Sequence, residues 1–272
     1  MNTLWVFDVD GVITDPREKR ITEPGLLEQF VAWLEQVDLI AINTGRSLVW
    51  LEEKVIEPLE KKLAENNKSK SLLHNVFEVG EKGADWMEYA EDGKKNQTID
   101  TSISVSKDLQ EKVKKLVQEE FTNSMFFDDT KKTMISIEMN KGFDLDKFNR
   151  QQRILIQKLE TLVKLYADLK IDPTVIATDI ENKYVGKALG AQRIVDWLRE
   201  RSLNVEHIYT FGDSASDIAM AEKFYEVYGD TKKIEFIFVG EKMLWDKKQM
   251  PFPIIHVPGF QEGTMEFLRI RK

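Results

Sequence analysis

Residues 4–12 read LWVFDVDGV, and the join between the two halves of this stretch decides the fold. Leu4 to Phe7 is an unbroken apolar run, the pattern of a strand covered on both faces. Asp8 and Asp10 follow at once. Two like charges at the mouth of a buried strand repel each other and lose hydration, so the fold must bring positive charge to them. The same arrangement recurs in HIYTFGDSASDIAM, residues 207–220, where the run Ile208 to Phe211 is followed by Asp213 and Asp217, and Gly212 permits a tight turn.

Further apolar runs stand at Leu39 to Ile42 and Phe236 to Val239. Helical spacing over Leu26 to Glu35, after the start signal Thr22, Glu23, Pro24, and over Ala188 to Glu200 lies between them. Strands alternating with helices predict a parallel, Rossmann-like α/β sheet. In such a sheet the carboxyl ends of the strands open onto one crevice, which predicts that Asp213 and Asp217 face Asp8 and Asp10. Four clustered carboxylates call for a hard divalent cation, and Mg²⁺ takes one or two carboxylates while leaving positions for water and phosphate oxygens.

Two further stretches supply groups for an anion. LIAINTGRS, residues 39–47, ends its strand in Thr44 and Gly45, a hydroxyl and a backbone N–H. NKYVGKALG, residues 182–190, sets Lys187 at the start of a helix, where an ammonium and helix N–H groups add positive potential. Thr44, Gly45 and Lys187 together form the oxyanion clamp that phosphoryl transfer requires. Arg46 is a candidate either for a substrate anion or for pairing with a carboxylate of the insertion described next.

Lys107 to Glu120 is an amphipathic helix, Ser124 to Met139 reads as two strands around the polar turn Asp128 to Lys132, and Asp144 to Leu169 reads as a long helix before a strand near Val175 to Ile180. These make a compact α+β insertion. The expected organisation is a core domain over 1–84, an α+β cap over 85–182 and the second part of the core over 183–272. The charge runs Lys61 to Lys70 and Glu91 to Lys95 read as solvated faces and loops. His74, His207 and His256 have no metal-ligand spacing.

The chain has 272 residues with a formal net charge of -8, which argues against a nucleic-acid or anionic-membrane surface and for a small-molecule partner. No cysteine is present, which excludes thiolate catalysis and fits a reducing compartment. No run is long enough to span a bilayer, and Asp8 interrupts the apolar N-terminal stretch, so the expected location is the cytoplasm. The sequence assigns no oligomeric state.

DVDGV, NTGRS, Lys187 and GDSASD, in this order, resemble the four motifs of the haloacid dehalogenase superfamily of phosphohydrolases. The insertion between the second and third motifs is similar in placement to the branch with sucrose-phosphate phosphatase, trehalose-phosphate phosphatase, mannosyl-3-phosphoglycerate phosphatase and phosphomannomutase. EKGADWMEYAEDGKK and GFQEGTMEFL resemble that branch's segment leading into the cap and its C-terminal tail. The resemblance implies Asp8 as nucleophile, Asp10 as general acid/base, Thr44 and Lys187 as phosphate ligands, and Asp8, the Asp10 carbonyl and Asp213 as Mg²⁺ ligands. It gives Asp217 the task of supporting the metal or orienting Lys187. Val12 and Ser216 depart from the pattern, standing where Thr and Asn are usual; the Ser216 hydroxyl is short but able to hold a metal-bound water. The implied activity is hydrolysis of a small phosphorylated metabolite, with sugar phosphates favoured by resemblance alone. A phosphomutase on the same core and a catalytically idle sensor on the same fold are the alternatives.

Overall fold

The computed structural model describes residues 2–242 and 250–271. The chain divides into two units, Met1–Thr98 with Gly186–Lys272, and Ile99–Val185. The strands in chain order are β1 (Thr3–Phe7), β2 (Leu39–Asn43), β3 (Val76–Gly80), β4 (Asp85–Tyr89), β5 (Lys95–Ile99), β6 (Met125–Phe127), β7 (Ile135–Met139), β8 (Leu169–Pro173), β9 (Ala177–Asn182), β10 (His207–Gly212), β11 (Lys233–Phe238) and β12 (Ile254–His256). The helices are α1 (Leu26–Glu35), α2 (Leu48–Leu51), which runs through a π-turn at Glu52–Ile56 into α3 (Glu57–Glu65), then α4 (Lys107–Glu120), α5 (Leu145–Val163), α6 (Lys187–Glu200), α7 (Ile218–Tyr228) and α8 (Gln261–Ile270).

Eight strands form the large sheet in the order β12-β11-β10-β1-β2-β3-β4-β5. The six from β12 to β3 run parallel. The chain steps outward from β1 to β2 and β3 on one side and from β10 to β11 and β12 on the other, so the order switches at β1 and a crevice opens beyond its carboxyl end. Because both faces are covered, β1 and β2 are apolar almost throughout. Phe7, Phe211, Trp5, Phe30 and Trp33 pack on one face, and Leu4, Val6, Ile208, Ile194 and Trp197 on the other. Trp5 stacks on Trp33 with ring centroids 4.0 Å apart and on Tyr209 at 4.6 Å.

The second unit holds the antiparallel sheet β6-β7-β9-β8. Helices α4 and α5 pack on it through Val113, Val117, Phe148, Leu155 and Leu159 against Ile135, Ile137 and Ile180. Ser106 and Asp144 cap the two helices by accepting from the Leu109 and Lys147 N–H groups. The architecture is thus a Rossmann-like α/β core with an inserted α+β domain.

Two boundaries differ from the sequence reading. The expected insertion began at 85, whereas β4 pairs antiparallel with β3 and β5 follows at the edge of the same sheet, so residues 85–98 belong with the core unit. The predicted helix to Leu169 ends at Val163, and β8 begins at Leu169. Leu162, Leu165 and Leu169 keep a helical spacing, but Leu165 is 85% exposed, so the repeat there does not record burial.

One buried acid in the core lies apart from the strand ends. Glu78 on β3 accepts the Tyr89 hydroxyl at 2.5 Å and is 1% exposed. Burial pushes its carboxyl up to about 8, against the Tyr89 hydrogen bond and with help from Glu52, while Lys95 opposes and Asp85 adds to the rise. A carboxyl raised in the folded state keeps its proton there after the unfolded chain has lost it, so stability falls as pH rises between about 4.5 and 8. The slope is roughly 1.4 kcal/mol per pH unit for this one group. Glu78→Gln is therefore expected to flatten the dependence of the urea midpoint on pH across that window. Parallel profiles for the two proteins would contradict it.

Candidate active site

Asp8 sits one residue past β1, and its N–H still donates to Phe211 O at 3.0 Å, so the ladder to β10 carries this side chain to the sheet's edge. The chain then turns tightly: the N–H groups of Val12, Ile13 and Thr14 all converge on Val9 O. Gly11 takes φ +76, and a Cβ there would meet the Asp213 carboxylate at 2.4 Å. A glycine in this turn is what lets the carboxyl end of β10 approach the loop after β1. Helix α8 holds the same loop from outside: Thr264 donates to Val12 O at 2.7 Å and Gln261 donates to Ile13 O, which assigns a task to the GFQEGT stretch.

The structure gathers carboxylate oxygens of Asp8, Asp213 and Asp217 within 4.8 Å of one another. Lys187, in the first turn of α6, answers them with its Nζ 2.5 Å from Asp8 Oδ1 and 2.8 Å from Asp217 Oδ1. Asp217 is fully buried, and its other oxygen accepts from Ser214 N–H at 3.0 Å and Ser214 Oγ at 2.6 Å. Burial pushes the Asp8 carboxyl up to about 7, with Lys187 opposing and Asp217 adding to the rise. Burial likewise lifts Asp213 to about 6, helped by Asp217. Burial lowers the Lys187 ammonium, but Asp217 and Asp8 outweigh it and leave the group raised and charged. Among the described residues one cation, Lys187, answers three acids, which leaves the cluster short of positive charge. Its donors are all hard carboxylate oxygens, which fits Mg²⁺.

Asp10 is placed differently from its neighbours. Arg46 grips it with Nε 2.8 Å from Oδ2 and Nη2 3.0 Å from Oδ1, and Lys19 Nζ lies 2.9 Å from Oδ1. Burial alone would raise its carboxyl, but these two cations bring it down to about 2. Arg46 therefore pairs with an acid of its own unit, with its guanidinium 5.1 Å from the Trp50 ring centroid. Thr44 is buried, its N–H donates to Val79 O at 2.9 Å, and its Oγ1 accepts from Arg46 N–H at 3.2 Å, which leaves the hydroxyl proton to donate elsewhere. Gly45 lies under the stem of Lys82, whose Cε would be 3.5 Å from a Cβ at that position. Ser216 is exposed, and its hydroxyl meets that of Ser214 at 2.8 Å.

No protein-family model matches the chain, and no curated protein sequence matches it. Solved structures do. The C-terminal domain of C. albicans trehalose-6-phosphate phosphatase is 18% identical over 97% of this chain and 90% of its own, with a TM-score of 0.65. A trehalose-6-phosphate phosphatase related protein is 14% identical over 98% and 96%, with a TM-score of 0.60. N-terminally truncated Plasmodium falciparum IMP-nucleotidase is 16% identical over 80% and 64%, with a TM-score of 0.51. The Rossmann-like core with its inserted α+β domain is the fold these solved structures share.

Five residues beside the acids went unnoticed in the sequence. Ser214 forms a capping box with Asp217, a pairing that the S-x-x-D spacing signals. Lys19 reaches Asp10 only because the loop curls back: the Asp15 side chain accepts from Arg17 and Glu18 N–H groups, and Lys19 adopts φ 55. Glu81 and Lys82 both take left-handed backbone, at φ 46 and φ 57. Their turn ties the second motif to α6: Glu81 N–H donates to Arg46 O, Lys82 N–H to Thr44 O, and Gly186 N–H to Lys82 O, at 2.9, 2.9 and 2.8 Å. Asn43, the last residue of β2, is fully buried against the start of α6.

Proposed function

We propose that this chain is a Mg²⁺-dependent phosphatase of small phosphorylated metabolites, sugar phosphates first among them, working through an aspartyl-phosphate on Asp8. The observation that carries the reading is the cluster of Asp8, Asp213 and Asp217 around Lys187 at the carboxyl ends of β1 and β10. An uncompensated nest of hard oxygen donors with one fixed ammonium suits a dianionic ester brought in with a cation. The similar structures support the same class. Trehalose-6-phosphate phosphatase and IMP-nucleotidase are named for substrates with unrelated leaving groups, and a phosphate monoester is what those substrates share. The inserted α+β unit is then the part left to select the remainder of the substrate. The cysteine-free composition fits a reducing compartment such as the cytoplasm.

In this reading Asp8 attacks phosphorus, the bond from phosphorus to the leaving oxygen breaks, and Asp10 gives that oxygen its proton. Water then attacks the phosphoryl group on Asp8, Asp10 takes the proton back, and inorganic phosphate leaves with the Asp8 carboxylate restored. Mg²⁺, held by Asp8, Asp213 and the Asp10 carbonyl, would supply charge neutralisation on the phosphate. Thr44 and Gly45 offer donors to the phosphate oxygens, and Asp217 orients Lys187 toward them. Arg46 and Lys19 hold Asp10 as a carboxylate, the form that the second half-reaction needs. The first half-reaction requires those two cations to turn from Asp10 to the incoming phosphate.

The test is turnover of an aryl phosphate and a panel of phosphorylated metabolites, with Mg²⁺ and with excess chelator. Full turnover in chelator would overturn the metal, and a requirement for a bisphosphate activator would mark a mutase. Asp213→Asn removes a charged oxygen donor and is expected to raise the Mg²⁺ concentration for half-maximal activity by about tenfold or more.

A further inference from the structure

We propose that Asn43 is a positioning residue that sets the reach of Lys187 by locking the end of β2 to the first turn of α6, an inference that rests on Lys187 serving the phosphate. The two residues are 144 apart in sequence and bonded twice: Asn43 Nδ2 donates to Lys187 O at 2.9 Å, and Lys187 Nζ donates to Asn43 O at 2.8 Å. The second bond uses the main chain and is open to any residue at 43; the first needs a short side chain carrying a donor. A buried amide is costly unless both of its ends are bonded. Here the cost is accepted at one end: Asn43 is fully buried and its Oδ1 has no hydrogen-bond partner among the described residues. That oxygen fills the space where a Cβ on Gly190 would stand, 2.0 Å away, so the glycine lets α6 come in until Nδ2 reaches Lys187 O.

An apolar side chain of the same shape would fill that space without an orphaned oxygen, so packing alone does not select asparagine. What asparagine adds is a fixed distance between the strand end that carries Thr44 and the helix start that carries Lys187. That distance matters because Lys187 Nζ sits between three acceptors, Asp8, Asp217 and Asn43 O, at 2.5, 2.8 and 2.8 Å. A shift of the first helical turn would break at least one of these contacts.

Asn43→Leu separates the two roles, because leucine keeps the branched shape and loses the donor. Its urea midpoint is expected to equal or exceed that of the wild type, since an apolar isostere also removes the orphaned oxygen. Lys187 in the folded chain is expected to react with acetic anhydride about fivefold faster or more, read by mass spectrometry against Lys62 as control, within the range that coupled neighbours span. The same substitution should lower kcat for the best phosphate ester by a similar factor or more, and should cost nothing further in a Lys187→Ala background. Unchanged Lys187 labelling, or a rate loss that adds fully to that of Lys187→Ala, would overturn the proposal. A chain with no phosphatase activity in which Asn43→Leu still unmasks Lys187 would keep the lock and discard the enzymatic reading; an active chain with no change in labelling would do the reverse.

Discussion

Asp8→Asn should abolish turnover and, with it, every trace of a covalent phosphoryl-enzyme. Asp8 is the acid brought to the strand end by the β1–β10 ladder, and Lys187 Nζ lies 2.5 Å from one of its oxygens. An amide of the same shape keeps the site's volume but has no oxygen basic enough to attack phosphorus. The loss should not come from unfolding. Asp8, Asp213 and Asp217 crowd their oxygens within 4.8 Å, so neutralising one relieves repulsion rather than creating it. Asp10→Asn should behave differently, because Asp10 is turned away to Arg46 and Lys19 and, in the reaction proposed above, serves the leaving oxygen and the water. That variant should still be phosphorylated by an aryl ester, whose leaving group needs little protonation, while an alkyl ester slows much more. The measurement is turnover of both ester types in both variants, with acid quench and hydroxylamine release of the phosphoryl group. A hydroxylamine-sensitive intermediate on Asp8→Asn would refute the assignment. So would equal slowing of both esters by Asp10→Asn with no intermediate trapped.

How far the sequence carried depended on whether a residue's role was written in its own neighbourhood. Asp8 and Asp213 could be read because each follows an apolar run, and parallel strands that end together bring such residues together. Lys187 could be read from its place at a helix start. Asn43 could not: it looks like the last polar residue of a strand, and its partner is Lys187, far along the chain. Lys19 was equally hidden, since only the Asp15 turn aims it at Asp10. Arg46 was recognised as an anion binder, and one anion it meets is Asp10, a residue whose freedom to pair depends on the turn after β1. In the fold, β5 left no signal because all five of its residues are exposed, so no alternation marks it. The strands β1, β2, β10 and β11 were legible for the opposite reason, being buried on both faces.

Lys187→Ala should reduce turnover by about a hundredfold or more, the scale on which removal of one fixed electrostatic donor is felt in a dry site. Among the described residues Lys187 is the single ammonium set between Asp8 and Asp217, and these acids keep it charged despite its burial. Its removal subtracts a positive charge from the place proposed above for the ester's phosphate. It also leaves Asp217 buried with only the Ser214 contacts, so the loss should be larger than for any exposed lysine such as Lys115. Lys187→Arg should not restore the rate, because a planar fork cannot satisfy three acceptors that converge on one point at 2.5 to 2.8 Å. A small alkylammonium ion added to the alanine variant can enter the vacated space, and it should recover part of the activity in proportion to its concentration. Tetramethylammonium, which carries the charge but no N–H, should recover none. A loss of less than about threefold in Lys187→Ala would give this residue a structural role only, as the partner of Asp8 and Asp217. Recovery by tetramethylammonium would mean that charge alone, without N–H groups to donate, is what the site takes from it.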